Sequence, residues 1–570
     1  MARCLALAET KARWADAVDE DEEKEEDEDD DEENDDDEEN DDDDDNDEEE
    51  EEYDSAEVED DQAADSRESD SQSGPTEHAR SHVRDMLSSF MLYFPRDLEE
   101  SVITMTNLEA SRRQPPIAGW REMGSAEFRA YLGLLLLSGV YRSRGEACES
   151  LWDAENGRSV FRATMSLKTF RAYSSALRFD DRETRREPST SPRDKLAPIR
   201  RVWDMWRLRL PLLYLPGRDI TVDERLVPFR GRCPFRQYMP SKPAKYGIKI
   251  WVACDARSSY AWNMQVYTGK PSKLARPEQD LASRVVMDLT RGLPPARNVT
   301  CDNFFTSQAL GALLWNDGHH TLLGTIRKNR REIPDELRCV KGRSVGSVVA
   351  SCTRRTATAA AAGAPDTKLI SYVPKKNKNV LLLTTSEQQQ QQQQREDRVA
   401  GKPAMVLHYN RTKGGVDNLD KVVATYSCRR KTCRWPVALF HNMVDVAGYN
   451  AFVLWRELRP EWLKGKRNRR RLFLESVGHA LVAPLKEARS RSSSSSSAAA
   501  AAAAARTFVP ESQDRGGGGQ EAPRRRCSLC PRLKDVKTKI VCHGCGRYVC
   551  CRCALTYCPG CAGITSPPRA

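Results

Sequence analysis

Residues Ile220–Phe229 read ITVDERLVPF. Strict alternation over this run predicts a β-strand that sets Thr221, Asp223 and Arg225 on one side and Ile220, Val222 and Glu224 on the other. Two further strand-like segments, KYGIKIWVACDA (Lys245–Ala256) and YAWNMQVYTG (Tyr260–Gly269), follow at once, then a helix-like LASRVVMDLTRGL (Leu281–Leu293). A fourth strand, RNVTCDNFF (Arg297–Phe305), places Asp302 at its end. An aspartate ending an apolar strand is costly unless it is paired or bound to a cation. Asp255, Asp288 and Asp445, by contrast, are expected to be ordinary aspartates of the same region.

The stretch KGGVDNLD (Lys413–Asp420) supplies two more carboxylates. At (i, i+3) on a helix, Asp417 and Asp420 share one face and gain from the positive end of the helix dipole. A strand meander carrying Asp223, a helix, a strand ending in Asp302 and a helix opening with Asp417 match the order of a ribonuclease-H-like (DDE/DDD) nucleotidyl-transfer core of α/β class. Clustered carboxylates raise one another's proton affinity unless cations neutralise them. Two Mg²⁺ ions about 4 Å apart serve that purpose and need only oxygen donors.

Composition agrees with a polyanionic partner. Residues 1–60 carry 36 Asp and Glu against 4 Lys and Arg, whereas the remaining 510 residues have a net charge of +36. A basic protein with an acidic tail points to nucleic acid. No secretory signal and no bilayer-spanning run are expected; LGLLLLSGV (Leu132–Val140) is short enough for a core helix. RKNRR (Arg327–Arg331), CRRKTCR (Cys428–Arg434) and KGKRNRRR (Lys464–Arg471) are candidate phosphate contacts or solvated faces, and the last also has the character of a nuclear localisation signal.

Nine of the 18 cysteines crowd into residues 527–561. Four pairs, Cys527 with Cys530, Cys542 with Cys545, Cys550 with Cys553 and Cys558 with Cys561, have the spacing of two tetrahedral Zn²⁺ sites. Short spacers favour an interleaved cross-brace, with sequential pairing as the alternative, and the metal would supply the folding energy of so small a module.

Beyond these local signals, the chain resembles the piggyBac-type transposases and the piggyBac transposable element-derived proteins. The resemblance is carried by VDERLVPFRGR (Val222–Arg232), QYMPSKPAKYGIKIW (Gln237–Trp251), VTCDNFFTS (Val299–Ser307), YNRTKGGVDNLD (Tyr409–Asp420) and SCRRKTCRWPVALFHNMVDVAGYNA (Ser427–Ala451). It implies a DNA transposase in which Asp223, Asp302 and Asp417 are catalytic metal ligands and Asp420 assists, with Asp223 bridging two Mg²⁺ ions. It also implies TTAA target sites, hairpin-ended intermediates, recognition of transposon-end double-stranded DNA by the zinc module, a homodimer and a nuclear location.

The expected organisation is an acidic disordered tail (1–84), a helical DNA-binding or dimerisation domain (85–215), a first core part (216–310), an insertion (311–400), a second core part (401–480), a flexible linker (487–525) whose alanines can be helical, and the zinc-binding end (526–562). The glutamine, alanine and serine runs are foreign to a compact transposase. They motivate a second reading, a domesticated DNA- or chromatin-binding protein that keeps the fold without transposition.

Overall fold

In a computed structural model of the 570-residue chain, the described residues are 73–186, 194–270, 278–353, 366–386 and 402–506, with 525–526, 537–538 and 548. The acidic run, the glutamine run and the alanine repeat near 357–363 lie outside them. So do all eight residues expected to ligate zinc: Cys527, Cys530, Cys542, Cys545, Cys550, Cys553, Cys558 and Cys561. The chain divides into two compact units, Met1–Arg489 and Ser490–Ala570.

The first unit is built on one nine-stranded sheet. Its strands are β1 (Asp219–Pro228), β2 (Arg236–Tyr238), β3 (Tyr246–Asp255), β4 (Ala261–Val266), β5 (Asn298–Cys301), β6 (Thr321–Thr325), β7 (Val348–Thr353), β8 (Thr367–Lys375) and β9 (Lys378–Thr384). They are ordered β2-β3-β1-β5-β6-β9-β8-β7, with β4 also paired to β3. Antiparallel β1–β3–β4 is the meander expected from the alternating segments. β5 then joins β1 in parallel, Val222 level with Cys301, and β6 joins β5 in parallel. Both parallel joins require crossovers, supplied by α-helices Leu281–Thr290 and Gln308–Gly318.

The stretch expected to be an insertion, 311–400, does not form a separate sheet among its described residues. β9 pairs with β6, β8 with β9 and β7 with β8, all antiparallel, so the central sheet continues outward. Order also begins earlier than expected, inside the stretch assigned to the tail. Gly74–Pro75 pairs with Tyr214–Leu215. The helix Glu77–His82 is capped by Thr76, whose hydroxyl accepts from Ala79 N and donates to Leu212 O. Buried Ala79 and Val83 give this segment the apolar anchors that the acidic run lacks.

Helices from Glu77 to Leu213 pack into the same hydrophobic core as the sheet. The helix Ser125–Val140 is buried over most of its length, and Ser166 caps Leu167–Ala176 by accepting from Thr169 N. At the centre lies the helix Trp435–Leu458, whose Phe440 ring meets Phe94, Phe128 and Phe179. Its Asn450 clamps β4 through both the N–H and the C=O of Ala261, at 3.0 and 2.9 Å.

This helix is long and apolar enough to cross a bilayer, contrary to the expectation that no such run exists; 94% of its apolar window is buried inside the protein, as in a core helix. The serine and alanine runs of the expected linker continue the helix Arg469–Arg506, in keeping with alanine's helix propensity.

Candidate active site

Strand geometry brings the first two carboxylates together. Val222 and Cys301 are the last residues paired between β1 and β5, and Asp223 and Asp302 each follow by one step, Asp223 still within β1 and paired to Val252 of β3. Asp302 Oδ1 accepts from Phe304 N at 3.0 Å, while its backbone oxygen accepts from Thr306 Oγ1 at 2.7 Å, which fixes the turn leaving the strand. Asp223 accepts from the N–H of its neighbour Glu224 at 2.7 Å.

Two short helices deliver the third carboxylate, and their docking relies on small groups. Thr412 ends α1 (Ala404–Thr412). Its carbonyl accepts from Thr221 Oγ1 at 2.5 Å, and its hydroxyl lies 2.9 Å from Thr300 Oγ1, which stitches the helix to β1 and β5. α2 (Gly415–Thr425) begins directly on the sheet. A Cβ on Gly415 would fall 3.0 Å from Thr221 Cβ and closer still to its hydroxyl, whereas one on Gly414 would meet nothing within 4 Å. Only the second glycine of KGGVD is therefore required by packing: it lets α2 sit low enough for Asp417 to share the field of Asp223. Val416, Leu419, Val422 and Val423 bury the opposite side of α2.

The resulting field is strongly acidic. Burial pushes the Asp223 carboxyl up to about 8, and the like charges of Glu224, Asp302 and Asp417 push in the same direction. Asp302 is also raised, first by burial and then by Glu224, against the pull of the Phe304 and Phe305 N–H groups and of Lys249. Glu224, expected on the other side of the strand, does pair there with Lys249 at 3.6 Å, but its charge is felt at both aspartates.

Asp420 is placed differently from the other three. It lies beyond the first turn of α2 and forms an ion pair with Arg225 at 2.6 Å. Burial raises its carboxyl, with Arg225 opposing. The pair closes the far side of the site and locks α2 to β1.

Lys242, at the tip of the loop between β2 and β3, had no local signal to mark it. Its Nζ lies 3.7 Å from Asp417 Oδ1 and donates to Glu224 O at 3.3 Å. Burial alone would lower its proton affinity, but Asp417, Asp223, Glu224 and Asp420 outweigh burial and raise it.

The donors are all carboxylate oxygens, and Asp223 is held neutral near pH 7 unless a cation offsets the field, so the set suits a hard divalent ion chemically. Among the described residues no three His, Cys, Asp or Glu side chains close into a ligand cage. Asp417 is 68% exposed beside Lys242, and it shares the field of Asp223 and Asp302 from the rim. The second expected metal centre, the zinc sites of Cys527, Cys530, Cys542, Cys545, Cys550, Cys553, Cys558 and Cys561, falls wholly outside the described residues.

The remaining aspartates have structural partners, as expected. Asp255 accepts from Gly217 N, Ser258 N and Ser258 Oγ, each at 2.7 Å. Asp288 pairs with Arg284, and Asp445 holds Ser427 Oγ and Cys428 N.

The basic stretch CRRKTCR proves largely structural. Arg430 donates to Ser143 O and Glu146 O, and Arg434 to Ser174 O, Ser175 O and Leu177 O, so both guanidinium groups satisfy loop and helix-end carbonyls. In KGKRNRRR, Arg470 is buried over the rings of Tyr426 and Tyr449.

A mixed sheet with carboxylates side by side on two adjacent strands, Asp223 within β1 and Asp302 just past β5, and a third on a following helix is the frame of a transposase. Residues 87–452 match the Transposase IS4 family, and the chain belongs to that family, on its piggyBac side. It is 24% identical over 414 residues to PiggyBac transposable element-derived protein 3 of Homo sapiens, covering 68% of this chain and 64% of that protein. The same identity and span relate it to the Chimeric ERCC6-PGBD3 protein of Homo sapiens, of which 36% is covered. The chain thus spans less than two thirds of the length of these relatives. The cryo-EM structure of the piggyBac transposase synaptic complex with hairpin DNA is similar over 86% of this chain and all of that one, with a TM-score of 0.66 and 31% identity.

Proposed function

We propose that the protein is a DNA transposase that cuts and joins strands at transposon ends with divalent metal ions, using a ribonuclease-H-like core. The observation that carries this reading is the juxtaposition of Asp223, within β1, and Asp302, just past the end of β5, where the pairing of these two strands stops, with Asp417 in the same field. Support also comes from the similarity to a transposase solved with hairpin DNA and from the net charge of +36 after residue 60.

Asp223, Asp302 and Asp417 would hold two Mg²⁺ ions, which when bound activate the attacking oxygen and stabilise the leaving one. The chain's own contributions are positional. Thr412 and Gly415 set the height of α2, and Arg225 fixes Asp420 and with it the helix. Lys242 steers the Asp417 carboxylate and offers a positive charge beside the carboxylates. We further propose that the four cysteine pairs between Cys527 and Cys561 bind two Zn²⁺ in a module that recognises DNA ends, and that the protein works in the nucleus on double-stranded DNA as a homodimer.

The test is Mg²⁺-dependent strand cleavage by the full chain on the DNA that flanks its gene. Asn at Asp223, Asp302 or Asp417 should abolish cleavage while DNA affinity stays within about twofold. Binding without cleavage by the wild-type protein would favour the domesticated reading, for which the exposed, lysine-paired Asp417 gives a structural motive.

A further inference from the structure

The hairpin that carries Lys242 has two features the catalytic reading leaves unused. Residues 230–249 contain six Lys and Arg and no Asp or Glu. Its strands, β2 and the start of β3, place Tyr238 directly opposite Tyr246. These rings are 57% and 40% exposed, with centroids 4.8 Å apart and planes tilted by 42°. The Arg236 guanidinium lies 5.5 Å from the Tyr246 centroid, and its Nη1 donates to Arg230 O and Gly231 O, so it is held in place beside the rings.

The hairpin is anchored at its base and closed by backbone hydrogen bonds. Phe235 is buried edge-on against Trp435 at 4.9 Å, Met239 N donates to Lys245 O at 2.7 Å, and Phe229 N to Tyr246 O at 3.1 Å. Its tip reaches Asp417 through Lys242. Two exposed aromatic faces fixed on a purely cationic hairpin, with one end at the carboxylates, form a surface whose chemistry matches a single nucleic-acid strand: phosphates for the cations and base faces for the rings. A packing-only cross-strand pair would need neither the exposure nor the one-signed charge.

We propose that Tyr238 and Tyr246 form a stacking platform for an unpaired nucleobase of the DNA strand lying beside the carboxylate site. This rests on the DNA reading given above. Lys242 then sets the register between the stacked base and the carboxylates, and Arg236 backs the Tyr246 ring.

The experiment uses the full chain and a duplex with a short single-stranded extension containing 2-aminopurine, alongside the same duplex blunt-ended. Wild-type protein should quench the 2-aminopurine and prefer the extended duplex. The double variant Tyr238→Ile, Tyr246→Ile keeps the strand propensity and apolar bulk of the edge but offers no π face. It should lose the quenching and about tenfold in affinity for the extended duplex, the scale of one base–aromatic stack, with blunt-duplex affinity and thermal midpoint unchanged. The double Phe variant should behave as wild type. Equal quenching and preference in the Ile variant would overturn the platform while leaving DNA binding intact. Failure of the wild-type protein to bind either duplex would overturn both this inference and the proposed function.

Discussion

Replacing Asp223 by Asn should make the protein more stable at neutral and alkaline pH. The Asp223 carboxyl is pushed up to about 8 by burial and by its acidic neighbours, whereas in the unfolded chain it titrates near 4. The folded state therefore binds that proton more tightly than the unfolded state. Wild-type stability contributed by this group is complete below about pH 4 and is lost as pH climbs to about 8.

Each tenfold difference in proton affinity is worth about 1.4 kcal/mol. The position is half-buried, so screening by solvent brings the expected penalty at pH 8 down to roughly 1–3 kcal/mol. Asn keeps an oxygen for the Glu224 N–H and carries no charge, so it escapes the penalty. Thermal unfolding at pH 5 and pH 8 should show the variant's advantage widening with pH, and added Mg²⁺ should raise the wild-type midpoint more than the variant's. A variant no more stable than wild type at pH 8, or an equal Mg²⁺ effect in both proteins, would refute the reasoning.

Four other outcomes are expected. Gly415→Ala should lift α2 off Thr221, cost about 1–3 kcal/mol in urea unfolding and weaken divalent-ion binding, whereas Gly414→Ala should do neither. Arg434→Ala should destabilise the first unit by roughly 3–5 kcal/mol, because three carbonyls at 2.8–3.0 Å lose their donor; Arg434→Lys should recover part of it in the same titration. Deleting residues 1–62, which removes the acidic run, should tighten DNA binding most at low salt, as read from affinity against ionic strength. Elemental analysis of the full chain should find two zinc ions, and a chelator should reduce end-specific binding more than non-specific binding.

Where order is local, it was legible. The alternation in ITVDERLVPF, the β-branched run before Asp302 and the glycine-led helix start at Gly415 each follow from short-range sterics, and all three appear where expected. What escaped depends on partners distant in sequence. Nothing near 321–384 announces that these strands extend the sheet begun at Asp219, because ladder hydrogen bonds carry no sequence signature. Lys242 meets Asp417, and Arg225 meets Asp420, across 175 and 195 positions. Arg430 and Arg434 look like phosphate contacts in sequence, yet they are spent on loop and helix-end carbonyls far upstream. The break at Tyr426–Arg434 between the helices Gly415–Thr425 and Trp435–Leu458 is likewise held from a distance, by Asp445 of the second helix.

The central claim is that Asp223, Asp302 and Asp417 are one divalent-ion site, and it is tested most directly by binding rather than by turnover. Mn²⁺ titration of the full chain at pH 8, followed by electron paramagnetic resonance, counts the bound ions. The account predicts two ions for the wild-type protein, with binding weakened at least tenfold by Asn at any of the three positions and left nearly unchanged by Asp288→Asn. Wild-type protein that binds no Mn²⁺, or binds it equally well without Asp223, would contradict the account.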